Sequence, residues 1–568
     1  MLSTLMTDVL VIGGGGAGLR AGIEAAQNGQ KVILISKGPI GKSGITILAG
    51  GGIQACQSKN DSIEAHVNDT IRAGRQIGDR NLIWKLASDA PARIRDLERY
   101  GVRFKKNEDG SLVQTPRPGQ SVARNCYLKE RGPGLIRGLY RELSKYDQAK
   151  VLEDTMVIRL LQHRGSVSGA ICLNLQDGNF YLIGAKAIIL CTGGYEQLWQ
   201  HNDCPPDSTG EGLAMAYQLG AELIDLEMAM FYPCVIIHPY AARGSSIQYE
   251  YALNPVLMDG KLLNGNEKVI LEGFPGRDEA TMAIFKEIEE GRGTPHGGFY
   301  MDVSRSPKGF DELTKAMEFW IPTRFRHLKK LGIDLRTDKV EMMPHIHYLL
   351  GGIKINTHGE TNVKGLFAAG EIAGNYDGAN RMSGNALTAT QVFGQSAGQK
   401  ASRYAQETET AFLDVDSIIS DEVRKRNRMS DHFAGPKSTG TLRPMEIKTK
   451  LQKLMWESVG PQRDEKGLKK SLQEIKRMKG EDLPRMKAIG LQRYCYELSE
   501  AYEVEWMLDL AELVVLSAIQ RKETRGAHHR MDYRDADNNN WLAHTKIARG
   551  ADGGPHLSTL PIREKGDE

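Results

Sequence analysis

Short, unbroken apolar runs punctuate the first two-thirds of the chain. Val9-Leu10-Val11-Ile12 leads into Gly13, and Val32-Ile33-Leu34-Ile35 leads into Ser36-Lys37. Ala187-Ile188-Ile189-Leu190-Cys191 leads into Thr192-Gly193-Gly194, and Leu366-Phe367-Ala368-Ala369 into Gly370-Glu371. Runs of this length, bounded by turn residues, read as buried strands of a parallel sheet. Between the first two, residues 17–28 are helix formers and Gly29 suits a helix C-terminus, giving a strand–turn–helix–strand unit. Strand-to-glycine turns so far apart in sequence predict one discontinuous α/β domain, residues 1–234 and 346–411. Residues 235–345 are mixed in composition, with Pro239, Pro255 and Pro275, and read as an inserted α+β capping domain. Beyond residue 412 the pattern changes. Residues 421–427, 445–459, 465–479 and 491–520 space their apolar positions helically among charges, which predicts a helical bundle over 412–520. Residues 521–568 are polar, rich in His, Asp and Asn, and are expected to form an irregular tail.

Composition narrows the function. The 568 residues carry 74 basic and 71 acidic side chains, a net charge of +3. That balance gives no footing for nucleic acid or an anionic membrane surface as the main partner. The seven cysteines, at 56, 126, 172, 191, 204, 234 and 495, form no C-x-x-C pair. A disulfide framework, an internal iron–sulfur cluster or a c-type haem is therefore not expected, and such a centre would belong to another chain. No apolar stretch approaches the ~20 residues that cross a bilayer, and no secretory leader precedes the first strand. The chain reads as cytoplasmic, without direct membrane insertion, and compatible with docking peripherally on a membrane complex through a partner.

Gly13-Gly14-Gly15-Gly16-Ala17-Gly18 fits G-x-G-x-x-G between a predicted strand and helix. Gly13 permits the tight turn, Gly15 clears the approach of a pyrophosphate, and Gly18 lets helix and strand pack closely. Gly16 and Ala17 open the helix, whose free N–H groups and dipole meet the phosphates. The hexapeptide alone is a weak signal, but in this context it is a strong one. An NAD site would place an acid about 20 residues further on for the ribose hydroxyls. The second strand ends instead in Ser36-Lys37, which argues against NAD. Glu371 is an acid placed to approach a ribityl or ribose hydroxyl.

Several ordered blocks then resemble the flavoprotein subunits of the succinate dehydrogenase/fumarate reductase family, with L-aspartate oxidase and adenylylsulfate reductase as relatives. They are a second strand ending in Ser36-Lys37, a flavin-contacting loop at residues 43–52 that starts at Ser43-Gly44 and ends in Gly51-Gly52, and Asp61-Ser62-Ile63-Glu64-Ala65-His66-Val67-Asn68-Asp69-Thr70. Later come Thr192-Gly193-Gly194, Thr209-Gly210-Glu211-Gly212, His345-Ile346-His347-Tyr348 with Gly351-Gly352-Ile353, and Gly378-Ala379-Asn380-Arg381-Met382-Ser383-Gly384-Asn385-Ala386-Leu387. Arg525-Gly526-Ala527-His528 and Asn540-Trp541-Leu542 before His544 resemble the family's C-terminal signature. The resemblance implies an α/β protein: a Rossmann-type FAD-binding domain with an inserted α+β capping domain and a C-terminal helical domain. It also assigns Thr192, Gly193, Ala386 and Leu387 to the cofactor.

In that family a dicarboxylate lies against the flavin. Hydride passes between flavin N5 and one substrate carbon while an arginine exchanges a proton at the other. Gly276-Arg277-Asp278 matches the arginine's block, so the resemblance makes Arg277 the proton donor or acceptor. His347 and Arg381 match the residues that bind one carboxylate, and Arg381 also borders the flavin. Arginine is a weak acid, with a pKa above ~12, and serves only where the carbanion is much more basic and a relay restores its proton. Glu250 falls near the family's relay acid, across a loop of different length.

Two departures stand out. Covalently flavinylated relatives carry a His where this chain has Ser43-Gly44-Ile45, so FAD is expected to be non-covalent. In this family that goes with a lower flavin potential, which favours reducing an alkene. Relatives also carry H-P-T where this chain has Tyr232-Pro233-Cys234, and tyrosine brings no positive charge near neutral pH. The implied substrate is a small carboxylic acid with one carboxylate clamped by His347 and Arg381 and a different second group near Tyr232. The helical domain implies a partner, an iron–sulfur electron-transfer protein; oligomeric state stays open. Alternatives are an L-aspartate oxidase-like enzyme, an adenylylsulfate reductase-like enzyme, and a flavin electron carrier with an altered site.

Overall fold

The computed structural model describes residues 3–409, 416–431, 440–489, 493–494, 496–562, 564 and 566. The expected boundary at 411–412 and the first two residues of the expected 491–520 helix lie outside the described residues.

The Ser3–Ile12 strand lies inside a seven-stranded sheet. On one side it runs parallel to Val32–Ile35, which runs parallel to Ala149–Leu152. On the other it runs parallel to Phe180–Leu190. That long strand has two further partners. Its first half is antiparallel to Ser166–Asn174, and its last residues are parallel to Leu366–Ala368. A segment nearly 180 residues downstream thus completes the same sheet, as the repeated strand-to-glycine pattern predicts. The Gly16–Gln27 helix is buried along almost its whole length. It is crossed closely by Asn385–Glu407: a Cβ at Gly394 would stand 2.8 Å from the Ala17 carbonyl oxygen, and one at Gly398 2.5 Å from that of Ala21.

The cap is α+β. Its antiparallel sheet runs in the order Ala229–His238, Val340–Leu349, Phe299–Asp302, Lys261–Leu263. Helices Arg277–Glu287, Phe310–Trp320 and Pro322–Lys330 accompany it. Its own core contains Ile236, Met301, Met317, Leu328 and Met342. The first two strands cross the expected limits at 234–235 and 345–346, so the cap hangs from the larger domain on continuous strands.

Among the described residues the helices Asp416–Met429, Pro444–Val459, Glu465–Arg477 and Tyr496–Gln520 follow. The last buries Leu498, Met507, Leu510 and Val514. The tail differs from expectation. Residues after 521 include a hairpin, Ala543–Arg549 with Pro555–Pro561, whose first strand pairs with Leu223–Ile224. Hydrophobic alternation hid it because polar side chains face inward. Thr545 Oγ1 donates to Glu227 Oε2 at 2.7 Å, and the Thr545 amide donates to Asp225 Oδ1 at 3.0 Å. Among the described residues no helix is long and apolar enough to cross a membrane.

Candidate active site

Of the residues the sequence marked, all but Gly18 line one cleft of about 540 Å³ between the large domain and the cap. Gly18 acts through packing: a Cβ there would stand 1.8 Å from the Gly13 carbonyl oxygen. Gly13 has φ +117°, and a Cβ on it would meet the Cys191 carbonyl oxygen at 2.2 Å. Only glycine turns the strand into the helix there.

The cleft has the form a dinucleotide needs. A Cβ at Gly15 would touch only Thr46 Oγ1, at 3.6 Å, and Cβ atoms at Gly44 and Gly193 would touch nothing within 4 Å. Gly16, Ala17, Ser36, Ser43, Gly51 and Gly52 continue the wall, and Ala386 and Leu387 bring the start of the Asn385–Glu407 helix to it. Thr192 and Asn125 line this cleft, and Thr192 Oγ1 and both polar side-chain atoms of Asn125 are buried without partners among the described residues. Buried polar atoms are almost always satisfied, so these fit a ligand with hydrogen-bonding groups.

Two of the expected cofactor residues are already engaged. Lys37 Nζ lies 2.9 Å from both Glu211 and Glu503, and also donates to the Asp207 carbonyl oxygen at 3.0 Å. Glu371 accepts from the Leu349 amide at 3.0 Å and sits beside Glu196. Burial pushes the Glu371 carboxyl up. The wall residues do not depend on either side chain being free.

The reaction end is a tight ionic cluster. Arg277 opens the Arg277–Glu287 helix, whose Gly276 amide donates to Glu279 Oε2 at 3.2 Å. From there Arg277 Nε reaches Glu250 Oε1 at 3.2 Å, and Nη2 pairs with the same oxygen. Tyr232 OH donates to Glu250 Oε2 at 2.7 Å, and Ser383 Oγ donates to Oε1 at 3.1 Å. Burial opposes ionisation of Glu250, but the Arg277 and Arg117 guanidinium groups, with the hydrogen bonds from Arg277 and Tyr232, together outweigh it and hold the carboxyl far below its usual range. Burial pulls Arg277 down, and Glu250, with Tyr232 and Tyr249, more than restores it. Burial, then Glu250, push the Tyr232 phenol well up. It stays protonated, and its one O–H is spent on Glu250.

His347 faces Tyr232 across paired strands, with ring centroids 4.8 Å apart. Register shifts flank Phe231-Tyr232 on one strand and re-aim its side chains. His347 Nδ1 lies 3.0 Å from each carboxylate oxygen of Asp203, and His347 lines the cleft. Arg381 stacks over the Tyr348 ring at 4.1 Å, and its Nε is buried without a partner among the described residues. Burial first, then Arg277, lower its pKa, and both guanidinium groups line the same cleft. The sequence did not mark Asp203, Ser383, Asn125 or Arg117, all of which line the cleft. Arg117, set between Pro116 and Pro118, carried the one local hint: a cation in a stiff loop.

A glycine-lined dinucleotide cleft that ends in buried arginines beneath a cap defines a nucleotide-cofactor oxidoreductase. Residues 8–387 match the FAD binding domain family, and residues 448–565 match the fumarate reductase flavoprotein C-terminal family. The chain is 37% identical to an uncharacterized FAD-dependent oxidoreductase of Methanocaldococcus jannaschii, over 93% of this chain and 94% of that protein. It is 36% identical to one of the subunits of the fumarate reductase (CoM/CoB) of Methanothermobacter marburgensis, with the same coverage of each. A solved structure of E. coli quinol fumarate reductase, a single-residue mutant, superposes with a TM-score of 0.89 at 26% identity, over 100% of this chain and 98% of that one. Adenylylsulfate reductase of Archaeoglobus fulgidus, at 20% identity and a TM-score of 0.80, shares the fold. The chain belongs to the fumarate reductase/succinate dehydrogenase flavoprotein family and is an FAD-dependent oxidoreductase.

Proposed function

We propose that this chain reduces the carbon–carbon double bond next to a carboxylate in a small acid, or runs that reaction in reverse, with electrons exchanged through an iron–sulfur protein. FAD, held non-covalently along residues 13–17, 43–52 and 192–193, supplies the hydride acceptor and donor. His347 and Arg381 bind the substrate carboxylate, and a guanidinium suits it because it can bind in two-pronged fashion. Asp203 fixes the His347 ring. The Arg381 charge also stabilises the enolate-like charge that develops as hydride reaches one alkene carbon. Arg277 gives its proton to the other carbon. Glu250, with Tyr232 and Ser383 on its remaining lone pairs, returns a proton to Arg277. Per turnover one hydride and one proton saturate the double bond.

The observation that carries this reading is the buried Arg277–Glu250 pair beside Arg381, in the same cleft as the glycine turn. Electron exchange with a second protein is supported by relatives described as subunits and by scattered cysteines without a C-x-x-C pair. The test is to reduce the bound flavin anaerobically and screen unsaturated acids for reoxidation. At least one enoate is expected to reoxidise it. Silence across the panel, with fast exchange to an iron–sulfur protein, would instead support the electron-carrier reading.

A further inference from the structure

We propose that Arg117, on a segment separate from the Tyr232 strand, is the cation that binds the second acid group of the substrate in this chain. This deepens the function proposed above and rests on it. Arg117 lines the cleft and is only 7% exposed. Its guanidinium lies over the rings of Tyr251 and Tyr127, 4.7 and 5.4 Å from their centroids. Among the described residues that guanidinium donates one hydrogen bond, from Nη2 to Tyr251 OH at 3.3 Å. Nε and Nη1 are buried with no partner. Guanidinium has five N–H donors and no acceptor, and leaving a buried charge this short of acceptors is costly.

Nothing among the described residues supplies the missing acceptor. The neighbouring acid is Glu250, and its oxygens already serve Arg277, Tyr232 and Ser383. No hydrogen bond joins Arg117 to Glu250 among the described residues, so the Arg117 charge has no bonded counter-ion there. Tyr232 cannot bind a substrate anion with its O–H, because Glu250 takes it. The cation absent from position 232 is replaced by one from a different segment. That segment is anchored: the Arg117 amide donates to Gln120 Oε1 at 2.8 Å, and Gln120 Nε2 donates to Gln54 Oε1 at 2.7 Å. Arg324 also lines the cleft, donating through Nε to the Ser246 carbonyl oxygen at 3.0 Å, with no carboxylate partner among the described residues. Both arginines draw anions towards this wall.

The test titrates the oxidised holoenzyme with crotonate, fumarate and trans-glutaconate, reading affinity from the flavin absorption spectrum, and then mixes reduced enzyme with each. Crotonate carries a methyl group where fumarate has its second carboxylate. The wild type is expected to bind at least one of the diacids 10-fold or more tighter than crotonate. Arg117→Gln is expected to cut that ratio roughly 10- to 100-fold, the range of a charged hydrogen bond. Arg117→Lys keeps the charge but not the planar fork, and is expected to cut it several-fold; it decides the matter if Arg117→Gln loses its flavin. A wild type without diacid preference, or variants that keep the wild-type ratio, would overturn the assignment of Arg117 while leaving the reaction intact. Failure of all three acids to reoxidise the reduced flavin would overturn the reaction itself, and the assignment with it.

Discussion

Glu250→Gln is the most informative single change. The carboxylate takes both Nε and Nη2 of Arg277, Tyr232 OH at 2.7 Å and Ser383 Oγ at 3.1 Å. It is 3% exposed and its arginine 7%. Glutamine keeps one acceptor but removes the charge, leaving a buried guanidinium without a counter-ion. Breaking one side of a buried pair costs about 3–5 kcal/mol. The chemical cost is separate. Glu250 is the main group offsetting burial of Arg277, and it is the proposed route by which the arginine regains its proton. Positioned acid–base groups contribute roughly 10²- to 10⁴-fold, so flavin reoxidation by a reactive enoate should slow by about that factor. The carboxyl is held well below its ordinary range. Its contribution is therefore present above the unfolded pKa of about 4.3, and is lost only as pH falls through the much lower folded value. In the wild type, this pair's contribution should be flat from pH 5 to 9. Anaerobic stopped-flow at the flavin band, with thermal melts of the same samples, measures both effects. A variant with wild-type rate and melting temperature would refute the relay and the pairing together.

Three further outcomes are expected. Gly15→Ala should lower FAD content while leaving helix content unchanged, because the added methyl has room in the protein, with Thr46 Oγ1 at 3.6 Å, and projects into the cleft; flavin absorbance per protein checks this. Acid precipitation should release all the yellow colour into the supernatant, since the loop at Ser43-Gly44-Ile45 holds no histidine. Asp377, fully buried, has its pKa pushed up to about 7 by burial, with Arg381 opposing. Unfolded Asp titrates near 3.9, so the folded protein holds this proton between about pH 4 and 7. Its stabilising contribution is complete below about pH 4 and lost as pH rises through 7, worth on the order of 4 kcal/mol. Melting temperatures at pH 5 and 8 should differ less in Asp377→Asn than in the wild type, and an equal difference would refute the assignment.

Much of the architecture was legible from local pattern. The glycine turn between Ile12 and Gly18 and the distant strand at Leu366–Ala368 follow from apolar runs and turn residues, which act over a few neighbours. So does the spacing of the bundle helices. The tail hairpin did not, because the buried residues of its first strand include the polar His544 and Thr545, satisfied by Asp225 and Glu227 more than 300 positions away. The site divides in the same way. Arg277, His347 and Arg381 were visible as residue types in recognisable blocks, but their partners were not. Asp203 behind His347, Ser383 on Glu250 and the unsatisfied Arg117 come from separate segments. Residue identity sets what a side chain can donate or accept; whether it does so depends on which groups folding brings within about 3 Å of it and on how much water folding leaves around them.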